Sequence, residues 1–432
     1  MYYRYLLAGV IPLASVAEVF AEAPNILFIL SDDHTSQTWG IYGGILADYA
    51  ITDNIRRLAN EGVTLDNCFC TNSISSPSRA SVLTGRYSHN NGVYTLDDTL
   101  DTSLPTIATV LQQSGYHTAL VGKWHLKSQP QGFDYYSIFY DQGEYRDPTF
   151  INSTDPWPGD RNFGERVRGF STDLVTEKAI EWMKAQPAGE PFLMCCHFKA
   201  AYQKLIRDYL RCAATVDDNI GKLLDALDDM GIADNTIVIY AADQGYFLGE
   251  HGFFDKRMYY EEAARMPFVI RYPREVPAGK RVDDLILNVD FAATLADYAG
   301  ADAPEGSQGR SFRDNLRGDT PDDWRTSIYY RYWTQHKERP AHIGVRTDRY
   351  KLIFLYGNRL DMTGSTDYVS QPSWEFYDLQ EDPYEDHNAY NDPQYQNIIK
   401  QMKKEMMRLR TETGDTDASR PVMLDILRAQ GL

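Results

Sequence analysis

The chain has 432 residues, 61 acidic and 43 basic, for a formal net charge of −18 at pH 7. Hydrophobic residues make up 43% and aromatic residues 13%, which excludes a disordered chain and leaves ample material for a core. The acidic balance argues against nucleic acid as a partner, because phosphate backbones are held by basic faces.

In chain order, the first 21 residues read as a targeting segment. Arg4 supplies a positive start, residues 6–14 an apolar run, and Val19, Phe20 and Ala21 a small-residue cleavage site. That run is too short to span a bilayer and no later one reaches spanning length, so the mature protein is expected to be exported, periplasmic or secreted, with no membrane span. Residues 25–31 form a continuous apolar run, the pattern of a strand buried on both faces of a parallel sheet, and it ends at Asp32-Asp33-His34. Helices are predicted over 53–61, with Thr52 or Asp53 as cap, and over 104–114, with Pro105 in the first turn. A strand over 118–121 leads into Gly122-Lys123-Trp124-His125, and another spans 191–197.

The clearest helix covers 203–230, where Tyr209, Ala213, Val216, Ile220, Leu223 and Leu227 keep near-3.6 spacing and Gly231 follows. A strand over 236–240 runs into Asp243-Gln244-Gly245, and another lies at 267–272. Strands alternating with helices, with room for crossovers, indicate an α/β fold with a largely parallel sheet. Near residue 310 the pattern changes to short alternating stretches at 328–332, 342–347, 350–356 and 375–378, then a helix over 393–411. The expected division is a signal peptide (1–21), a catalytic α/β unit (22–310) and a C-terminal antiparallel sheet with a helix (311–432), with 300–309 as linker and the last twenty residues as tail. Five scattered cysteines (Cys68, Cys70, Cys195, Cys196, Cys212) form neither a zinc pattern nor a disulfide framework and read as small buried hydrophobes.

Chemistry concentrates in Ser75-Ser76-Pro77-Ser78-Arg79 and the following Leu83-Thr84-Gly85-Arg86. The pattern places Ser75 at the start of a short helix, where unpaired N–H groups and the positive dipole end favour an anion. Taken alone, such a turn is only a helix cap. The whole string, however, resembles the signature of the type I sulfatases of the alkaline-phosphatase-like superfamily at every fixed position. The resemblance extends to Asp32-Asp33, Gly122-Lys123-Trp124-His125, Asp243-Gln244-Gly245 and Asp255-Lys256-Arg257.

The resemblance implies a large mixed, mostly parallel sheet sandwiched by helices, with a smaller C-terminal antiparallel sheet. It implies that Ser75 is oxidised to formylglycine by a separate maturation enzyme, of the bacterial radical type that acts on serine. A plain serine attacking sulfur would leave a stable sulfate ester, whereas a hydrated aldehyde can attack with one hydroxyl and expel sulfate through the other. Asp32, Asp33, Asp243, Gln244 and modified Ser75 form an all-oxygen donor set that suits Ca2+, and Mg2+ less well. Lys123, His125 and Lys256 match the family's sulfate-binding positions, with Arg79 beside the nucleophile and His125 or a second histidine protonating the departing oxygen.

His89 and His251 read as structural or pocket-lining. His342 and Arg346 are candidate substrate contacts or members of a solvated strand face, and Trp39 and Tyr42 stacking platforms or core. One departure stands out. Relatives continue Phe-Lys-Ala-Pro-His, the histidine being catalytic, whereas this chain reads Phe198-Lys199-Ala200-Ala201-Tyr202. Either His197 or a shifted loop compensates, or the site is incomplete.

The leading expectation is a sulfuric ester hydrolase acting on a sulfated saccharide, a glycosaminoglycan or mucin-type sugar. The alternatives are a catalytically impaired protein that binds sulfated glycans, and a phosphoester hydrolase of the same superfamily, whose members use two zinc ions and several histidine ligands.

Overall fold

The computed structural model describes residues 23–157, 163–199 and 206–432. The expected targeting segment, Tyr202 and the predicted helix start at 203–205 lie outside the described residues. The strands are β1 (Asn25–Ser31), β2 (Val63–Leu65), β3 (Cys68–Phe69), β4 (His117–Lys123), β5 (Tyr135–Phe139), β6 (Thr149–Asn152), β7 (Glu165–Arg166), β8 (Phe192–Phe198), β9 (Thr236–Ala242), β10 (Phe268–Arg271), β11 (Lys280–Val282) and β12 (Ile286–Leu287), followed by β13 (Ser327–Tyr332), β14 (His342–Thr347), β15 (Tyr350–Leu355) and β16 (Ser373–Asp378). The helices are α1 (Asp53–Asn60), α2 (Ser75–Thr84), α3 (Ser88–Asn91), α4 (Ile107–Gln113), α5 (Ser171–Lys184), α6 (Ile206–Asp229), α7 (Glu261–Ala264), α8 (Asp290–Tyr298), α9 (Arg313–Arg317), α10 (Gln396–Thr413) and α11 (Pro421–Ala429).

The large sheet runs β11-β2-β10-β9-β1-β8-β4-β5-β6-β7. Its centre is parallel: β1 lies between β8 and β9, with Phe28 opposite both Cys195 and Ile239. Because strand side chains alternate, β1 feeds two cores. Ile26, Phe28 and Leu30 join one cluster with Ala80, Ile107, Leu111 and Phe291 from α2, α4 and α8. Leu27 and Ile29 join the other with Ile55, Val175, Ala179, Val216 and Ile220 from α1, α5 and α6. Cys195 and Cys196 divide between the same two clusters, which is why adjacent cysteines are both buried and both free. At about 2 kcal/mol for each buried large apolar side chain, β1 alone ties the two helical layers to the sheet.

The large sheet is mixed and mostly parallel, as expected: β10 pairs antiparallel with both β9 and β2, whereas the outer β11 runs parallel to β2. Other expectations change. The helix expected from 104 begins at Ile107, because Thr106 and Thr109 form a capping box that satisfies the first free amides after Pro105. The expected linker is tied down: the Gln308 amide donates to the Gly85 carbonyl at 2.7 Å. The expected tail is folded. Met423 and Leu427 of α11 enter the core that begins at β1, and this one cluster also holds Tyr330, Ile343, Val345 and Phe354 of the four-stranded antiparallel sheet β13-β14-β15-β16.

The turn between α10 and α11 carries Asp415 and Asp417, which meet Arg331 of β13 and Arg410 of α10. All four are at most 4% exposed. Burial pushes the Asp415 carboxyl up, but Arg331, His89 and Arg410 reverse this and hold it at about 2. Its folded value lies below that of the unfolded chain, so the stability it supplies is complete above the ordinary value of 3.8 and is lost as pH falls through about 2. Urea unfolding followed from pH 5 to pH 2 is expected to show a steep loss of midpoint over this window, and Asp415→Asn is expected to flatten it.

Candidate active site

The expected site residues converge at the carboxyl edge of the large sheet, where open α/β sheets place ligands. Asp32 and Asp33 follow β1, Asp243 and Gln244 follow the adjacent β9, and Lys123 ends β4. Gly122, at φ +102°, lies so near β8 that a Cβ there would come within 2.0 Å of the His197 carbonyl oxygen. Only glycine lets β4 pass this close before Lys123 turns into the site. Ser75 opens α2, which Gly85 ends, as the spacing predicts. Three non-glycine residues of the site hold left-handed backbone: Asp33 (φ +51°), His125 (+57°) and Arg257 (+98°). Such strain, costing about 1–3 kcal/mol each, persists where surrounding contacts over-determine the chain, and it clusters at reactive sites.

Ser75 Oγ donates to Asp32 Oδ1 at 3.1 Å. Lys123 Nζ lies 2.5 Å from the same oxygen, and Lys256 Nζ bonds both oxygens of Asp33. Arg79 spans the group, its Nε donating to Asp243 Oδ2 and its Nη1 to the Lys123 carbonyl, each at 3.0 Å. Asp243 Oδ1 accepts the amides of Asp33 at 3.0 Å and Gln244 at 3.1 Å, and Ser78 Oγ donates to the Asp243 carbonyl. Three carboxylates and three cations are thus packed out of water, none more than 7% exposed.

The local field differs at each. Burial raises the Asp32 carboxyl, but Lys123, Arg79 and Lys256 more than reverse it and hold it well below the usual range. Burial, reinforced by Asp32 and Asp33 and opposed by Arg79, pushes Asp243 up to about 7. Burial pulls Lys123 down to about 8 against the attraction of Asp32.

Oxygens of Asp32, Asp33 and Asp243 lie within 4.8 Å of one another. Gln244 turns its Nε2 to Asp33, while its buried Oε1 has no hydrogen-bond partner. Crowded carboxylates with an orphaned amide oxygen beside them fit a hard divalent cation: the repulsion from Asp32 and Asp33 that adds to burial in lifting Asp243 is what such an ion relieves, and an oxygen-only set excludes soft ligand chemistry.

The histidines differ in role. His125 Nε2 lies 3.2 Å from Asp141 Oδ1 and 3.4 Å from Gln142 Nε2, and its backbone carbonyl accepts Ser76 Oγ. Burial and the Lys123 charge pull it down to about 4. Gln142 Oε1 also accepts Lys123 Nζ at 2.9 Å. Sequence reasoning missed Asp141 and Gln142, which follow β5 and carry no motif; only their proximity to a strand end could have marked them. His197 sits behind the cluster on β8, 3.1 Å from the Lys123 carbonyl and 3.4 Å from Arg79 Nη1. Burial and Arg79 pull it down to about 3, so it is neutral and braces Arg79 instead of facing the carboxylates.

His342 and Arg346 are corrections. Neither is at the surface: His342 is fully buried, its ring parallel to Tyr330, and Arg346 is 3% exposed and pairs with Glu261 at 2.9 Å. Both belong to the packing of β14, so a solvated strand face does not describe them. Trp39 is core; His89 bonds the Thr413 carbonyl, and His251 stacks on Tyr260 and faces Glu262 at 3.4 Å.

Residues 24–301 match the family model described as Sulfatase, and residues 249–412 match that described as N-sulphoglucosamine sulphohydrolase, C-terminal. This chain belongs to the sulfatase family. It is therefore a sulfuric ester hydrolase, and the assembled cluster around Ser75 lies where the family signature falls. An N-acetylglucosamine-6-O-sulfatase of Bacteroides thetaiotaomicron is 34% identical over 506 residues, covering 90% of this chain and 86% of that protein. An ulvan-active sulfatase of Formosa agariphila is 24% identical over 93% of this chain and 84% of its own length. Among solved structures, a protein in complex with its substrate D-glucosamine-2-N,6-O-disulfate superposes with a TM-score of 0.81 at 32% identity, over 91% of this chain and 99% of that one.

Arg79 donates to two oxygen partners, Asp243 Oδ2 and the Lys123 carbonyl, through a rigid fork that an ammonium group cannot reproduce. Arg79→Lys is expected to lower kcat/KM for an aryl sulfate by ~10²-fold or more, the scale of losing a preorganised charge contact. Steady-state assays on folded protein check this.

Proposed function

We propose that this sulfatase removes the sulfate ester of an amino sugar in a glycosaminoglycan or mucin-type glycan, acting on an N-acetylglucosamine-like residue at its 6-position. The observation that carries the reading is the 34% identity, across 90% of the chain, to an N-acetylglucosamine-6-O-sulfatase. The likeness to a protein solved with a disulfated glucosamine supports the same sugar class. In this reading Ser75 is oxidised to formylglycine by a maturation enzyme, and Asp32, Asp33, Asp243, Gln244 and the modified side chain hold Ca2+, with Mg2+ the poorer fit. The modified side chain would supply an oxygen nucleophile with a built-in route for sulfate release, and the ion charge to offset the ester's oxygens.

The chain's own residues do the remainder. Three cations surround Ser75, and an added divalent ion makes the net charge of the pocket positive, so it draws in an anionic ester despite the −18 of the whole chain. Lys123 and Lys256 then orient the sulfate oxygens, and Arg79 holds Asp243 in place beside the nucleophile. His125, aligned by Asp141, exchanges the proton of the leaving oxygen. We also place the protein in the periplasm or outside the cell, from the N-terminal segment, with cleavage after Ala21; among the described residues no helix is long and apolar enough to cross a membrane.

The Ala201-Tyr202 sequence where relatives carry Pro-His favours a second reading, a glycan binder with impaired turnover. Sulfate release by the unaltered chain excludes it.

Peptide mass spectrometry across Ser75, on protein made with its maturation partner, is expected to show a loss of about 2 Da, or a gain of about 16 Da when hydrated. An unmodified serine there sinks the hydrolytic reading. Chelation is expected to abolish turnover of N-acetylglucosamine-6-sulfate and to lower Tm, since an ion bound only by the folded state stabilises it. Calcium should restore both better than magnesium. Equal recovery with zinc, or a preference for the matching phosphate ester, would contradict the assignment.

A further inference from the structure

Tyr330, on β13 of the C-terminal sheet, is fully buried. Its hydroxyl joins two of the segments that build the site. It donates to the Arg257 carbonyl at 2.5 Å and accepts the Ser73 amide at 3.0 Å. Ser73 stands two residues before Ser75, and Arg257 follows Lys256 and has the largest positive φ, +98°, of the described non-glycine residues. We propose that Tyr330 is a positioning residue for sulfate-ester hydrolysis, its one hydroxyl fixing the segment that delivers Ser75 against the segment that delivers Lys256.

The ring is held for this task from both sides. Tyr259 stacks on one face, with centroids 4.2 Å apart and planes 12° apart, and the His342 ring lies parallel at 5.5 Å. Tyr259 in turn reaches β14 only because residue 344 is glycine: a Cβ there would come within 2.5 Å of Tyr259 Cδ1. This explains the burial of His342, whose Nδ1 bonds the Pro340 carbonyl at 2.7 Å and locks the ring parallel to Tyr330. Neighbouring contacts run the same way. Ser73 Oγ donates to the Ala263 carbonyl at 2.6 Å, and the Arg331 amide donates to the Thr71 carbonyl at 3.2 Å. The stretch ahead of Ser75 is therefore suspended between the C-terminal sheet and the β9–β10 excursion that carries Asp243, Gln244 and Lys256.

A shift of Ser75 relative to Lys256 disturbs the transition state more than ground-state binding, and an error near 1 Å can cost ~10²-fold. The loss should be greatest where the leaving group needs most help. The inference rests on the proposed hydrolytic function, so its test carries one readout independent of turnover. Tyr330→Phe keeps the stack and removes the hydroxyl. In this variant, hydrogen exchange in the peptides spanning 70–74 and 254–258 is expected to accelerate while β14 and β15 remain protected. After normalising to the formylglycine-bearing, folded fraction, kcat on the sugar sulfate is expected to fall about 30-fold, and on 4-nitrophenyl sulfate by a clearly smaller factor. Gly344→Ala, which presses on Tyr259 from outside the site, is expected to give the same inequality and serves if the Phe variant does not fold. Unchanged exchange in both peptides overturns the proposal, as does an equal loss on both substrates, the mark of a smaller active fraction. Accelerated exchange in a protein whose parent releases no sulfate would sustain the tether and sink only the hydrolytic reading.

Discussion

Three carboxylates and three cations share one small volume sealed from water, and the rest of the molecule can be read as the means of keeping them there. At an effective dielectric of about 20, two unit charges 4 Å apart interact by about 4 kcal/mol, attractive or repulsive. Small displacements among Asp32, Asp33, Asp243, Arg79, Lys123 and Lys256 would thus be costly in either direction. The contacts are correspondingly specific: Arg79 is fixed by Asp243 and by the Lys123 carbonyl, and Asp243 by two backbone amides and Ser78. The strained backbone at Asp33, His125 and Arg257 lies in the stretches that carry Asp32, Lys123 and Lys256. The framework beneath is the parallel centre of the sheet, buried on both faces, whose adjacent strand ends deliver the charges side by side.

What the sequence discloses and what it hides follow from the range of the interactions. Unbroken apolar runs identified β1, β8 and β9, because a strand buried on both faces needs no partner to declare its state. The long helix was legible through its 3.6-residue spacing, and Ser75 through a signature dense enough to be specific. Asp141 and Gln142 were not, since their relation to His125 and Lys123 is set by the pairing of β4 with β5 and by nothing local. The antiparallel course of β10 was hidden for the same reason: an apolar strand has no direction in its composition. His342 and Arg346 were misjudged because a polar residue on an alternating strand reads as exposed, whereas here Glu261 pairs with Arg346 and a tyrosine stack encloses His342. The folded C-terminus was overlooked because Arg331 and Arg410, which neutralise Asp415 and Asp417, are only seen to do so once the chain has closed.

The C-terminal antiparallel sheet is more than an appendage to the catalytic unit. Its apolar residues belong to the cluster that starts at β1, and its buried charges interlock with the excursion between β9 and β10: Lys351 lies between Glu261 and Glu385, at 2.8 and 2.7 Å. Burial pushes Glu385 up to about 7, while Arg346, Lys351 and Arg265 overcome burial at Glu261 and hold it well below the usual range. The excursion that bears Lys256 therefore rests on a salt-bridged floor supplied by residues some hundred positions downstream.

The topology also sets an order of events. β1 is made early, yet its hydrogen-bond partners are β8 and β9, so the middle of the sheet stays open until nearly 240 residues have emerged. Contacts of such long sequence separation form slowly. Ser75, meanwhile, ends up 1% exposed beneath the closed structure. A side chain so enclosed is open to another protein only on a nascent or still unfolded polypeptide, and the late arrival of the partners of β1 is what holds the door open.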